Sequence, residues 1–164
     1  MIGDEESNGL GERGSILVFD SEPVILDLLT HVLTREGYRV TATPRSDEAF
    51  GLATSNSFDL AIADLGLRKR DGCYLVRRLR QARPDTPIVA TTAYPAAEIV
   101  TFAEKHAEAL LPKPFAIGEL LTAVRTALQR RLACGQQTAP SAAAEALPAA
   151  IWRGQLGSAR IVVE

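Results

Sequence analysis

The sequence has few cysteines and lacks long apolar runs. Cys73 and Cys134 are its only cysteines, too few for a disulfide framework or a cysteine metal site. No window approaches the roughly 18 uncharged apolar residues that a membrane-spanning helix needs. The polar N-terminus lacks the basic-then-apolar order of a secretory signal. The formal net charge of −2 gives no bulk attraction to nucleic acid or to an anionic membrane. These absences predict a cytoplasmic protein with neither a nucleic-acid nor a membrane partner.

Short apolar runs alternate with amphipathic stretches over most of the 164 residues. Each run is typical of a strand buried on both faces of a parallel sheet. Each stretch is typical of a helix that crosses from one strand to the next. The predicted strands are 16–19, 39–42, 60–63, 88–91 and 110–111. Five such units in series predict a doubly wound α/β fold, with one five-stranded parallel sheet and helices on both faces.

Several helix ends are predicted from residues with known positional preferences. Pro23 is expected to open the first helix, where its missing N–H costs nothing, and Gly37 to end it. Ser46 is expected to cap the second helix, and Pro95 to open the fourth. Apolar residues of the first helix recur at helical spacing, which predicts one buried stripe that includes Leu28.

Composition divides the chain into three parts. Residues 1–13 are polar and predict a flexible leader, and residues 14–133 carry the five strand–helix units. Residues 134–164 are rich in Ala, Pro, Ser and Gln, which predicts a tail or linker. At about 31 residues this tail is too short for a second domain with its own core. Its Trp152 is compatible with docking on the domain, docking on a second copy, or no docking at all.

Polar side chains stand at the carboxyl ends of four predicted strands. Asp20 follows the first strand, Asp64 the third, Thr92 the fourth and Lys113 the fifth. In an open parallel sheet this edge is where ligands bind. A carboxylate such as Asp64 can act as a nucleophile and form an acyl phosphate. Phosphoryl transfer otherwise needs the reacting groups to be positioned and their charge to be neutralised. Mg²⁺ supplies the neutralisation when it is held by carboxylates and phosphate oxygens.

These residues lie in stretches that resemble the motifs of bacterial response-regulator receiver domains. The resemblance covers residues 14–133, in order and with the usual spacing. The stretches that carry it are ILVFDSEP, DLAIADLGLRKRDG, PIVATTA and LLPKPF.

The resemblance implies a flavodoxin-like fold with strand order 2-1-3-4-5. It implies Mg²⁺-dependent transfer to Asp64 from a phosphohistidine of a histidine kinase or a histidine phosphotransfer protein. Thr92 and Lys113 would contact the phosphoryl oxygens, while Asp20, Asp64 and the backbone carbonyl of Gly66 would hold the metal. It also implies a conformational change on the face of helix 4, strand 5 and helix 5. Homodimers of family members often form through that face.

Two positions depart from the family pattern. Where the family has a second acid after the first strand, this chain has Ser21, a neutral ligand that would bind Mg²⁺ weakly or through water. The adjacent Glu22 is not expected to compensate, because a helix-opening turn need not point it toward the metal. Three residues before the lysine, Leu110 replaces the usual aromatic ring. Transmission of a signal from the phosphorylation site would then depend on backbone shifts in the loop that follows Thr92.

Other motifs have simpler interpretations. Gly9, Gly11 and Gly14 match a dinucleotide-binding pattern, but they precede the first strand instead of following it. The run Arg68-Lys69-Arg70 is typical of a solvated face. Thr91 is expected to be a packed β-branched residue, since it faces the opposite side of the strand from Thr92.

The main hypothesis is therefore a stand-alone receiver that signals by contact with a downstream protein or by competition for a shared phosphodonor. It would not be an independent enzyme, taking part only in its own phosphorylation and dephosphorylation. The alternative is a pseudo-receiver that binds a partner without phosphorylation, which Ser21 and Leu110 both motivate. An independent aspartyl-phosphate hydrolase is a third hypothesis, disfavoured because Gly66 stands where such enzymes place a second acid. Gly66 and Tyr94 would also flank the path of an attacking water.

Overall fold

A computed structural model describes residues 13–66 and 71–136. Strands and helices alternate along both segments. The strands are β1 (Ser15–Phe19), β2 (Arg39–Thr43), β3 (Leu60–Asp64), β4 (Ile88–Thr92) and β5 (Ala109–Pro112). The helices are α1 (Pro23–Arg35), α2 (Ser46–Ser55), α3 (Asp71–Ala82), α4 (Ala97–His106) and α5 (Ile117–Gln136).

The five strands form one parallel sheet in the order β2-β1-β3-β4-β5. This confirms the predicted doubly wound fold and its strand order. β1 lies next to both β2 and β3, so the order of the strands reverses there. The crevice between the carboxyl ends of β1 and β3 is therefore the switch point at which such sheets bind ligands.

Two apolar cores lie on opposite faces of the sheet, because side chains alternate along each strand. Ile16 and Val18 of β1 pack with α1 and α5 on one face. Leu17 and Phe19 pack with α2, α3 and α4 on the other. Every residue of β3 and β4 is buried, as expected for the central strands of a doubly covered sheet.

Some helices begin and end where the sequence predicts, and others begin one or two residues away. Pro23 opens α1, and Gly37 follows that helix with a positive φ of 92° that favours glycine. Ser46 is the first residue of α2 and Arg45 holds the cap position, so the predicted cap was one residue late. Pro95 precedes α4, which begins at Ala97.

The buried stripe of α1 also differs from its prediction. Leu26, Leu29 and Leu33 are the buried residues of the helix, whereas Leu28 is exposed. The apolar pattern was wide enough to fit more than one face, and contact with the sheet selects the face that carries Leu26.

Residues 1–12, the run Arg68-Lys69-Arg70 and the tail from residue 137, with Trp152, lie outside the described residues. α5 continues to Gln136, past the predicted domain end at residue 133. None of the described helices is long and apolar enough to span a membrane. The cytoplasmic location stays a prediction.

Candidate functional site

Two carboxylates meet at the crevice between β1 and β3. Asp20 directly follows β1, and Asp64 is the last residue of β3. Asp20 has 0% of its surface exposed and Asp64 has 7%. Carboxylates are seldom buried this completely unless a cation or hydrogen bonds accompany them. Asp20 also accepts a 2.9 Å hydrogen bond from the backbone N–H of Glu22, which orients the turn before α1.

Lys113 supplies the cation. It follows β5, and its peptide bond to Pro114 is cis. The Nζ atom donates a 2.7 Å hydrogen bond to Oδ2 of Asp20 and lies 3.7 Å from Oδ2 of Asp64. Only 11% of the Lys113 side chain is exposed. The sheet therefore brings Asp20, Asp64 and Lys113 together from three different strands.

The charges in this pocket are not balanced. Burial raises the pKa of Asp64 to about 6, and the charge of Asp20 adds to the effect, while Lys113 offsets only part of it. Burial by itself would lower the pKa of Lys113. The hydrogen bond to Asp20 and the charge of Asp64 more than compensate, so this pKa is raised. Asp20 and Asp64 when ionised carry two negative charges against the one positive charge of Lys113, so the pocket would gain from a further cation.

The Thr92 hydroxyl points into its own loop. Its Oγ1 accepts a 3.1 Å hydrogen bond from the backbone N–H of Tyr94 and donates one of 3.2 Å to the Tyr94 carbonyl. The backbone carbonyl of Thr92 accepts a 2.7 Å hydrogen bond from the N–H of Lys113. Thr92 is thus attached to both loops at the pocket rim, but its hydroxyl would have to leave Tyr94 to reach a phosphoryl group on Asp64.

Thr91 is packed, as its alternation in the strand predicts. It pairs with Asp64 in the register of β3 and β4 and is buried. Its Oγ1 has no hydrogen-bond partner among the described residues. The two neighbouring threonines therefore differ sharply: one hydroxyl is doubly bonded and the other is unpaired.

The donors at the pocket suit Mg²⁺ better than a metal that needs an all-protein cage. Among residues 13–66 and 71–136, no group of three or more His, Cys, Asp or Glu side chains is arranged to hold a metal. Mg²⁺ is commonly held by one or two carboxylates, with water and phosphate oxygens completing its shell. Asp20 and Asp64 match this requirement, because both are carboxylates at the same edge of the sheet. Ser21 is exposed and adds no charge.

Leu110 fills its position in the core. It is buried in β5 and belongs to the core cluster formed with α2, α3 and α4. Nearby, Tyr94 is exposed, and a Cβ added at Gly66 would lie 3.5 Å from Oδ2 of Asp64. Because Gly66 has no side chain, it leaves space beside the Asp64 carboxylate, where an attacking water is predicted to pass.

Sequence reasoning missed two features of the pocket. Oε1 of Glu22 lies 3.3 Å from Nζ of Lys113, so this acid turns toward the pocket although 60% of its side chain is exposed. The second is Gly72, a residue to which the sequence motifs assign no role, and which is the second residue of α3 and is buried. A Cβ at Gly72 would overlap the backbone carbonyl of Asp64. A glycine two residues into an amphipathic helix was the available signal for this close approach.

A doubly wound sheet with two buried acids and a lysine at its carboxyl edge defines a class, the receiver-type α/β domains. Residues 16–125 match the family model described as response regulator receiver domain. The chain therefore belongs to the response-regulator receiver family.

Known proteins agree with this assignment. The chain is 34% identical over 116 residues to the response regulator MprA of Mycobacterium sp. (strain KMS), covering 70% of this chain and 50% of that protein. A CheY-like receiver domain protein from Methanospirillum hungatei JF-1 superposes with a TM-score of 0.71 at 27% identity, covering 74% of this chain and 98% of that one.

A second solved structure is the signal receiver domain of an HD domain-containing protein from Pseudomonas fluorescens Pf-5. It has a TM-score of 0.68 and 31% identity, covering 73% of this chain and 97% of that one. The chain spans about half the length of the curated relatives it matches.

Proposed function

We propose that this receiver is a phosphorylation-dependent switch in which Asp64 accepts a phosphoryl group from a histidine kinase or a histidine phosphotransfer protein. The observation that carries the proposal is the position of Asp64. It is a buried carboxylate at the switch point, with Asp20 beside it and Lys113 3.7 Å away. Its pKa of about 6 leaves most of it ionised at pH 7, as a nucleophile requires.

In the proposed reaction, a carboxylate oxygen of Asp64 attacks the phosphorus of a phosphohistidine. The new P–O bond forms as the P–N bond breaks, and the imidazole leaves with the electron pair. Asp20, Asp64 and the Gly66 carbonyl would hold Mg²⁺, with Ser21 contributing weakly or through water. Bound Mg²⁺ would neutralise charge on the transferring group. Lys113 would pair with a phosphoryl oxygen after loosening its hydrogen bond to Asp20.

Thr92 would transmit the phosphorylation of Asp64 to the loop before α4. A phosphoryl oxygen on Asp64 is a stronger acceptor than the Tyr94 carbonyl, so the Thr92 hydroxyl would turn toward it. This turn breaks both bonds that hold Tyr94. The loop before α4 would then shift without help from an aromatic ring, because Leu110 is packed in the core.

Exposed apolar side chains near the pocket suit the docking of a phosphodonor. α1 begins just after Asp20 and α5 soon after Lys113, so both helices start at the pocket rim. Val24 and Ile117 are exposed in their first turns. Exposed apolar side chains beside a reactive group suit contact with a partner protein.

Several finer points stay part of the proposal. Output would pass through contact with a downstream protein or through a homodimer on the α4–β5–α5 face. The chain would not be an independent enzyme. Its action as a stand-alone receiver, without nucleic acid as a partner, is likewise proposed.

The test is phosphorylation in solution. The protein is incubated with phosphoramidate and millimolar Mg²⁺, and its intact mass is measured. The proposal predicts a gain of one phosphoryl group in the wild type and none in Asp64→Asn. The pseudo-receiver alternative, motivated by Ser21 and Leu110, predicts no gain in either.

A further inference from the structure

A groove of about 610 Å³ lies between α3 and α4 and extends to Gly66, at the edge of the pocket of Asp20 and Lys113. Its walls come from the first turns of α3 and from most of α4. The residues that matter for recognition are Tyr74, Arg77, Ile99, Phe102, Lys105 and His106.

Few side chains of α4 are fully buried. Ala103 is the only one that is, while others are partly buried against the core. Ile99 and Phe102 are only partly buried against the core. Tyr74 of α3 is 60% exposed on the opposite wall. Apolar side chains on both walls of the groove are therefore accessible to another molecule.

Within the part of the chain that the structure describes, no carboxylate forms an ion pair with Arg77 or Lys105. The Arg77 guanidinium lies 5.4 Å from the Phe102 ring centroid. By contrast, Arg80, one turn further along α3, pairs with Glu108 at 2.7 Å.

His106 lies among these cations. Its pKa is lowered, first by burial and then by the positive charges of Arg77, Arg80 and Lys105. Glu98 is the acid among the lining residues and belongs to the first turn of α4, whereas Lys105 belongs to its last turn. The His106 end of the groove is therefore net positive.

The shape selects the kind of partner. The groove follows α4 from Ala96 to His106, about 15 Å at 1.5 Å per residue. That length fits two to three turns of a helix better than a compact small molecule. Nucleic acid fits less well, because its binding rests on many phosphate contacts and the chain has a net charge of −2.

We propose that the groove binds an acidic amphipathic segment of a partner protein, with apolar side chains against Phe102 and carboxylates against Arg77 and Lys105. This is a helix-in-groove mode of recognition, in which the apolar face gives affinity and charge selects the partner. The groove is formed with Asp64 unmodified, so the proposal stands apart from phosphoryl transfer.

The test uses fluorescence anisotropy with a fluorescein-labelled helical peptide of about 12 residues, roughly three turns. The peptide carries leucines one turn apart and glutamates at one end. A matched peptide has lysines in place of the glutamates, and a single-stranded DNA oligomer is the third probe. The glutamate peptide should bind at least about tenfold more tightly than the lysine peptide, with affinity falling as salt is added.

Charge-reversal variants locate the binding. Lys105 is exposed, so Lys105→Glu leaves the core intact and should weaken binding of the glutamate peptide several-fold. Arg39→Glu makes the same charge change on an exposed residue of the edge strand β2 and should leave binding unchanged. The proposal is overturned if the two peptides bind equally, if the glutamate peptide does not bind, if DNA is preferred, or if the two variants behave alike.

Discussion

Lys113 donates a 2.7 Å hydrogen bond to Asp20, a carboxylate with no exposed surface. The lysine thereby occupies one oxygen of an acid that the proposed metal site also needs. Lys113 and Mg²⁺ would compete for the same negative charge, and Ser21 provides none to make up the difference. Metal affinity is therefore the property in which this chain should depart most from receivers with two acids at this position.

Restoring the second acid should tighten metal binding. Ser21→Asp adds one negative charge next to Asp20 at an exposed position. A charge within about 4 Å, at an effective dielectric constant near 20, is worth enough to raise Mg²⁺ affinity by about tenfold or more. Isothermal titration calorimetry measures the change. Ser21→Asn, which adds a neutral oxygen, serves as the control and should bind close to wild type. Equal affinity in the aspartate variant and the wild type would mean that the metal site lies elsewhere.

The pH dependence of stability should reveal the buried Asp64. Its pKa is about 6 in the folded protein, against an ordinary value of 3.8. Between these values the folded state keeps a proton that the unfolded state releases, so stability falls as pH rises from 4 to 6. The loss approaches about 3 kcal/mol at pH 7 without metal.

Asp64→Asn removes this dependence. In urea unfolding with EDTA, the free energy of unfolding of the variant should rise relative to that of the wild type from pH 4 to 6. Above pH 6 the difference between the two free energies should stay constant. A difference that does not change with pH would show that Asp64 titrates normally. A difference that changes in the opposite direction would show that its pKa is lowered by Lys113.

The two threonines at the end of β4 should respond oppositely to valine. Thr92→Val removes both hydrogen bonds to Tyr94 and should cost about 1 kcal/mol in the free energy of unfolding. Thr91→Val removes a buried hydroxyl with no partner among the described residues, so it should be neutral or stabilising. Chemical unfolding of both variants provides the comparison. A larger cost for Thr91→Val than for Thr92→Val would contradict these hydrogen-bond assignments.

Gly72 should tolerate no side chain. Gly72→Ala places a methyl group against the Asp64 carbonyl, so α3 or the end of β3 must move. A loss of about 2 kcal/mol or more in stability is expected from this overpacking. Gly51→Ala is the matched control, because a Cβ at that position in α2 meets nothing within 4 Å. That variant should be stabilised by up to about 1 kcal/mol, since alanine favours a helix interior. Similar effects at the two positions would contradict the close approach.

The fold was predictable because its signals are local. The apolar runs of β1 and β3 are each followed by an acid, and the order of strands and helices leaves few topologies. The meeting of Asp20, Asp64 and Lys113 follows from that topology alone. The side chains whose positions differ from the prediction are placed by contacts between residues that lie far apart in the sequence.

Glu22 illustrates this limit. Its direction depends on the turn before α1 and on Lys113, which is 91 residues away. The burial of Gly72 depends on how closely α3 approaches β3. The exposure of Leu28 depends on which side of α1 meets the sheet. The groove between α3 and α4 likewise arises from the spacing of two helices, which no pattern within either helix specifies.

Chemical trapping of the phosphorylated residue decides whether Asp64 is the phosphoacceptor. The protein is treated with phosphoramidate and Mg²⁺, reduced with borohydride, digested and mapped by mass spectrometry. Borohydride converts an aspartyl phosphate to homoserine. Homoserine is expected at position 64 in the presence of Mg²⁺, and aspartate is expected there in the presence of EDTA. Homoserine at any other position, or unmodified aspartate at position 64 under both conditions, would contradict the proposal that Asp64 accepts the phosphoryl group.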